Sequence, residues 1–179
     1  MFEFQKLLGS NRRGIALQTK LGTDIPNQLG AELTAVAARR DELLVKRCGN
    51  QWQRRRPACG EYNCAGHVWA CRRTGIFEPQ AWTKILADDG YRMTKHPQPD
   101  DLAVYFDQNN EILHVGRIVE LKSIAIGSSP VPWVVSKWAI DTGEFVHNVN
   151  HHPYHDPALG FQVRIDYWTD RPKDTCHDS

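Results

Sequence analysis

Five cysteines and eight histidines supply the nucleophilic and metal-ligating chemistry of this chain. Among the cysteines, Cys64 stands apart. Its surroundings, YNCAGHVWACRR from Tyr62 to Arg73, predict a helix that starts at Asn63 or Cys64 and closes near Thr74-Gly75. A thiol in the first turn of a helix faces unpaired amides, which favour its thiolate form. The second group is His114, on a predicted strand from Ile112 to Val119 that follows a polar turn, Asp107-Gln108-Asn109-Asn110. A strand fixes the direction of an imidazole, and an imidazole beside a thiol supplies the base that a cysteine nucleophile needs. The chemistry of such a pair is acyl transfer. His114 would keep Cys64 as thiolate, protonate the leaving group, and let water resolve the thioester, with the Cys64 amide as one oxyanion donor and Tyr62 as a second.

These groups need elements to hold them. Leu29, Leu33, Val36, Ala37 and Leu44 predict an amphipathic helix from Pro26 to Lys46, with Asp24 near its start. The run Arg54-Arg55-Arg56-Pro57 reads as a loop after it. A helix from Pro79 to Ala87 stops at the Asp88-Asp89-Gly90 turn. From Tyr91 onward strands dominate: 102–106, 112–119, 133–138, 144–147 and 161–168. In the last of these, Phe161, Val163, Ile165 and Tyr167 alternate with polar residues, so one face should be buried. Helices first and an antiparallel sheet afterwards define an α+β fold.

Three blocks, YNCAGHVWA, PDDLAVYFD and HVGRIVE, resemble the NlpC-type cell-wall peptidases and their papain-like relatives in order and spacing. In that family a helix begins Asp-Cys-Ser-Gly, a strand begins Pro-Gly-Asp-Leu, and a later strand carries His-Val-Gly. The resemblance spans about Tyr62 to Glu120. It implies a nucleophile cysteine at the start of a helix packed on an antiparallel sheet, with Cys64 as nucleophile, His114 as general base and acid, and Pro99, Asp101 and Leu102 on the strand-start motif. Asn63, Ala65 and Asp100 depart from the pattern, standing where the family has aspartate, serine and glycine. The third catalytic residue is expected on the next strand. Ser136 is the choice, because Ser136-Lys137-Trp138 is similar to the papain-type stretch in which a polar residue holds the imidazole and a tryptophan shields that bond. Glu120, Asp141 and His147 are rivals. Tyr62, Asn63 and Trp138 complete the expected oxyanion and substrate contacts.

The implied activity is a cysteine peptidase or amidase acting on a peptide or peptidoglycan fragment, without metal or cofactor. The implied layout is an N-terminal extension over 1–56, a catalytic domain over 57–170 and a tail over 171–179. One alternative is a binding module on the same fold that has lost activity. Another is a zinc protein using Cys59, Cys64, His67 and Cys71, although the four residues between Cys59 and Cys64 are not the usual paired-cysteine knuckle. The histidines His147, His151, His152 and His155 read as a solvated loop among asparagines and prolines.

Bulk properties set the remaining bounds. The 179 residues suffice for one core, and 22 basic against 21 acidic side chains give no global attraction to nucleic acid or to an anionic membrane. No apolar run matches a signal peptide or a membrane span, and an odd cysteine count disfavours a disulfide framework. The sequence therefore predicts reduced thiols in the cytoplasm, with export by a signal-independent route left open. It does not set an oligomeric state.

Overall fold

The computed structural model describes residues 14–48, 51–123, 129–154 and 162–172. It is an α+β protein with one seven-stranded sheet and few helices. In chain order the elements are α1 (Ala35–Cys48), β1 (Trp52–Arg56), α2 (Cys64–Trp69), α3 (Pro79–Asp88), β2 (Arg92–Met93), β3 (Leu102–Phe106), β4 (Ile112–Lys122), β5 (Val131–Ser136), β6 (Glu144–Asn148) and β7 (Arg164–Thr169). The sheet runs β1-β6-β5-β4-β3-β7-β2, and every pairing is antiparallel.

Strand β3 explains why the sheet is covered on both sides. Its sequence LAVYF has no polar position, as suits a strand buried on both faces. Leu102, Val104 and Phe106, with Val115 of β4, join Cys64, Ala65, Val68, Trp82 and Ile85 in a core beneath α2 and α3. Ala103 and Tyr105 point the other way, into a core with Trp52, Ile118, Val134, Trp138 and Phe145. Of the alternation expected for the last strand, Val163, Ile165 and Tyr167 pack on this second core, and Phe161 lies outside the described residues.

Several expected boundaries differ from those found. The helix expected over 26–46 begins only at Ala35, where Thr34 Oγ1 accepts the Ala37 amide at 3.2 Å and caps it. Before that, Gln28 exchanges backbone hydrogen bonds with Gly75 at 3.0 and 2.9 Å, and Ile25 is buried in the first core. Apolar spacing cannot register a partner almost fifty residues away, so it predicts helix where the chain is extended. Asp24 caps nothing there and instead accepts from Gln18 Nε2.

The arginine run expected as a loop is strand β1. Trp52 is its buried residue and Gln53 to Arg56 are exposed, the charged surface typical of a sheet edge. The part of the chain assigned to the N-terminal extension thus adds a strand to the sheet and Ile25 to the core.

Helix α2 stops at Trp69 instead of Arg73, because Cys71 and Arg72 take left-handed φ values of 49° and 67° and the Arg72 amide bonds back to Gly66 O. Gly75 is therefore not its cap. Gly66 itself is required by space: a Cβ there would lie 1.8 Å from Thr74 O. Asp100, standing where the resemblance has glycine, adopts φ +75°. Among the described residues no helix is long and apolar enough to cross a membrane.

Candidate functional site

Asn63 sets the start of α2. Its Oδ1 accepts the Gly66 amide at 2.9 Å and the Ile76 amide at 3.0 Å, while Nδ2 donates to Ile76 O at 2.7 Å. Aspartate would cap the helix equally well but has no donor for Ile76 O, which gives asparagine a reason at this position. Both ends of the side chain are engaged in these bonds, so Asn63 holds the start of α2 and with it Cys64.

Helix α2 packs on β4, with the Cys64 thiol at the junction. Strand β5 pairs with β4 only from Arg117 to Lys122. Beyond that end the backbone N–H of Val115, the residue after His114, is directed at the thiol. Burial dominates the thiol and pushes its pKa up to about 11; the amides of Val115, Ala65 and Cys64 itself, and the charge of Lys137, pull the other way. Cys64 is 7% exposed and rests as a neutral thiol.

His114 lies on the opposite side of β4 from Val115. It is fully buried, stacked on Trp138 with ring centroids 4.4 Å apart, and set edge-on against Tyr105 at 5.3 Å. Burial, reinforced by His147, His152 and His67, holds its pKa well below the ordinary value, so the imidazole is neutral. Neither ring nitrogen has a hydrogen-bond partner among the described residues. No hydrogen bond therefore joins His114 to Cys64 or to Ser136.

Ser136 lies on the same face as His114. The register that pairs Arg117 with Val135 sets Ser136 opposite Gly116, two residues beyond His114. A Cβ on Gly116 would come within 2.7 Å of the Ser136 oxygen, so glycine is needed under this side chain. The Ser136 hydroxyl also lacks a partner among the described residues. Trp138, the expected shield, stacks on the imidazole and also packs against His147, with ring centroids 4.7 Å apart.

Tyr62 is not a free donor. Its hydroxyl donates to Glu144 Oε1 at 2.7 Å, and Lys137 Nζ lies 4.8 Å above its ring. Glu144 is fully buried and also receives Arg72, through Nε at 2.5 Å and Nη2 at 3.1 Å. Burial alone would raise this carboxyl, but the Arg72 and Tyr62 bonds outweigh it and hold the pKa below its ordinary value. Arg72 Nη2 also donates to His67 Nε2 at 3.1 Å, which fixes the proton of the neutral His67 on Nδ1. The left-handed turn after α2 delivers Arg72 to this network.

The expected solvated histidine loop is not what forms. His147 is fully buried on β6 with Nδ1 on Asn148 O at 2.7 Å, and His152 is buried edge-on against Tyr105; His151 is exposed and His155 lies outside the described residues. Neighbouring asparagines and prolines suggested solvent, whereas β6 alternation turns His147 inward beside Trp52 and Trp138. The zinc set is not gathered either. Cys59 meets Lys137, Cys71 is exposed, and among the described residues no three His, Cys, Asp or Glu side chains are arranged to hold a metal ion. Of the rivals for the third position, Glu120 pairs with Lys122 and Asp141 lies 3.9 Å from Arg40, both away from the imidazole; only His147 shares the Trp138 cluster.

Sequence reasoning missed Lys137 and Glu144. A lysine between a serine and a tryptophan, and a glutamate at the start of a strand, carry no local sign of complete burial. Comparisons with protein-family models, curated proteins and solved structures returned no match.

Proposed function

We propose that the chain is a papain-like cysteine hydrolase in which Cys64 attacks an amide carbonyl and His114 moves the proton. The supporting observation is the placement of the Cys64 thiol against the Val115 amide, one residue past His114, with three backbone N–H groups and the Lys137 charge favouring negative charge at sulfur. Only burial opposes ionisation. A substrate entering between α2 and the end of β5 brings polar groups to the thiol, after which the same amides favour the thiolate and then the oxyanion.

His114 starts neutral with neither nitrogen engaged among the described residues. Because it lies on the other face of β4 from the core that holds the thiol, it would take the Cys64 proton through a bridging water or substrate group as the sulfur–carbon bond forms. It returns that proton to the departing amine, and water then cleaves the thioester. The substrate class carried by the NlpC resemblance is a peptide or peptidoglycan-type amide. A binding module on the same fold is the second reading, favoured by the burial of Cys64.

The test uses peptidoglycan fragments and short peptides, with wild type, Cys64→Ala and His114→Ala compared by product release. Hydrolysis should fall by about 1,000-fold or more in either variant while far-ultraviolet circular dichroism stays unchanged. Absence of turnover in wild type, with Cys64 alkylated no faster than the exposed Cys71, would leave the binding module as the answer.

A further inference from the structure

Lys137 is fully buried, an environment in which lysine almost always faces an anion. Among the described residues its ammonium has no carboxylate within ion-pair distance. Its hydrogen bonds go to the carbonyl oxygen of Cys59 at 2.9 Å, to the carbonyl of Thr142, and to the Cys59 sulfur at 3.6 Å. One residue thus holds the lysine by both its backbone and its side chain, and the sulfur and nitrogen are in direct contact. Cys59 is half-buried, unlike the sealed Cys64, so of the two it is the one open to a small oxidant from solvent. Burial also pushes the Lys137 pKa down, towards the neutral amine that can act as a nucleophile.

We propose that Cys59 and Lys137 form a reversible sulfenamide cross-link when the protein meets hydrogen peroxide. In the first step the Cys59 thiol attacks peroxide, a sulfur–oxygen bond forms, the peroxide bond breaks, and sulfenic acid and water result. In the second, the Lys137 amine attacks that sulfur. A sulfur–nitrogen bond forms, hydroxide leaves and takes the amine proton as water. Sulfur is oxidised by two electrons and peroxide reduced by two, so one thiol, one amine and one peroxide give one sulfenamide and two waters. Thiols reverse the link by attack on sulfur, forming a mixed disulfide and then a free Cys59. The cross-link removes a positive charge at the end of β5, beside Ser136 and Trp138, and ties the loop before α2 to that strand. It does not depend on Cys64 being a nucleophile.

The experiment treats the full-length wild-type protein with hydrogen peroxide and maps it by mass spectrometry after digestion, with and without dithiothreitol. The expected product joins the Cys59 and Lys137 peptides, weighs two hydrogens less than their reduced sum, and disappears with dithiothreitol. Lys137→Arg keeps the charge but presents a guanidinium that stays protonated, so Cys59 in that variant should proceed to sulfinic acid or pair with another thiol. The wild-type map decides the matter even if the variant fails to fold. Recovery of wild-type Cys59 only as sulfinic acid, or only in a disulfide, would overturn the proposal.

Discussion

Acid should unfold this protein earlier than its carboxylates require, because its buried histidines must take up protons as the chain unfolds. Burial is the main cause in each case. His67 and His147 are both held down to about 4 from an ordinary 6.5, and His114 is shifted in the same direction. The unfolded chain accepts protons from about pH 6.5 downward while the folded chain refuses them until about pH 4. The stability linked to these groups is therefore complete above 6.5 and is lost as the pH falls through that window.

At about pH 5 the linkage relation gives a loss of about 2 kcal/mol for each of His67 and His147, or about 4 kcal/mol together, with His114 adding to it. That is a large share of the roughly 5–15 kcal/mol that holds a domain together. With a urea slope of about 2 kcal/mol per molar, the denaturation midpoint should drop by about 2 M between pH 8 and pH 5. Urea titrations followed by tryptophan fluorescence measure this directly. His147→Gln, which cannot titrate, should shrink the drop by about 1 M, its own share of about 2 kcal/mol. A midpoint unchanged over that interval, or ring protons of His67, His114 or His147 that titrate near 6.5 in the native protein, would refute the burial assignment.

Three other outcomes follow from the packing. Glu144→Ala leaves the Arg72 guanidinium and the Tyr62 hydroxyl without their acceptor and should cost about 3–5 kcal/mol in urea denaturation, with Glu144→Gln costing less because one acceptor oxygen remains. Asn63→Asp keeps the helix cap but sets a carboxylate oxygen against Ile76 O, and thermal melting should show a loss of about 1–3 kcal/mol. Gly116→Ala drives a methyl into the Ser136 hydroxyl and should cost about 1–3 kcal/mol; adding Ser136→Ala should recover part of that, a coupling that a double-mutant cycle reads.

Much of the fold was legible because it depends on local pattern. The continuous apolar run of β3, the polar turn after it, the alternation at Val163, Ile165 and Tyr167, and Pro79 opening α3 each signal their element without reference to the rest of the chain. The cysteine at the start of α2 and the histidine on β4 were readable on the same basis. Strand β1 was not, since an edge strand of glutamine and arginines has a solvated pattern and is recognised only by its pairing with β6. The segment before α1 failed for the related reason that its partner, Gly75, is distant in sequence.

The sequence by itself determined an α+β order, a helix-start thiol and a strand imidazole, because helix and strand periodicity and end signals are short-range. Tertiary structure alone decided that Asn63 spends its amide on Ile76, that Tyr62 belongs to Glu144, that His147 turns inward onto Trp138, and that Lys137 is sealed against Cys59. Burial and hydrogen-bond partnership are properties of neighbours brought together from far along the chain, and they set both the protonation and the reach of every group in the candidate site.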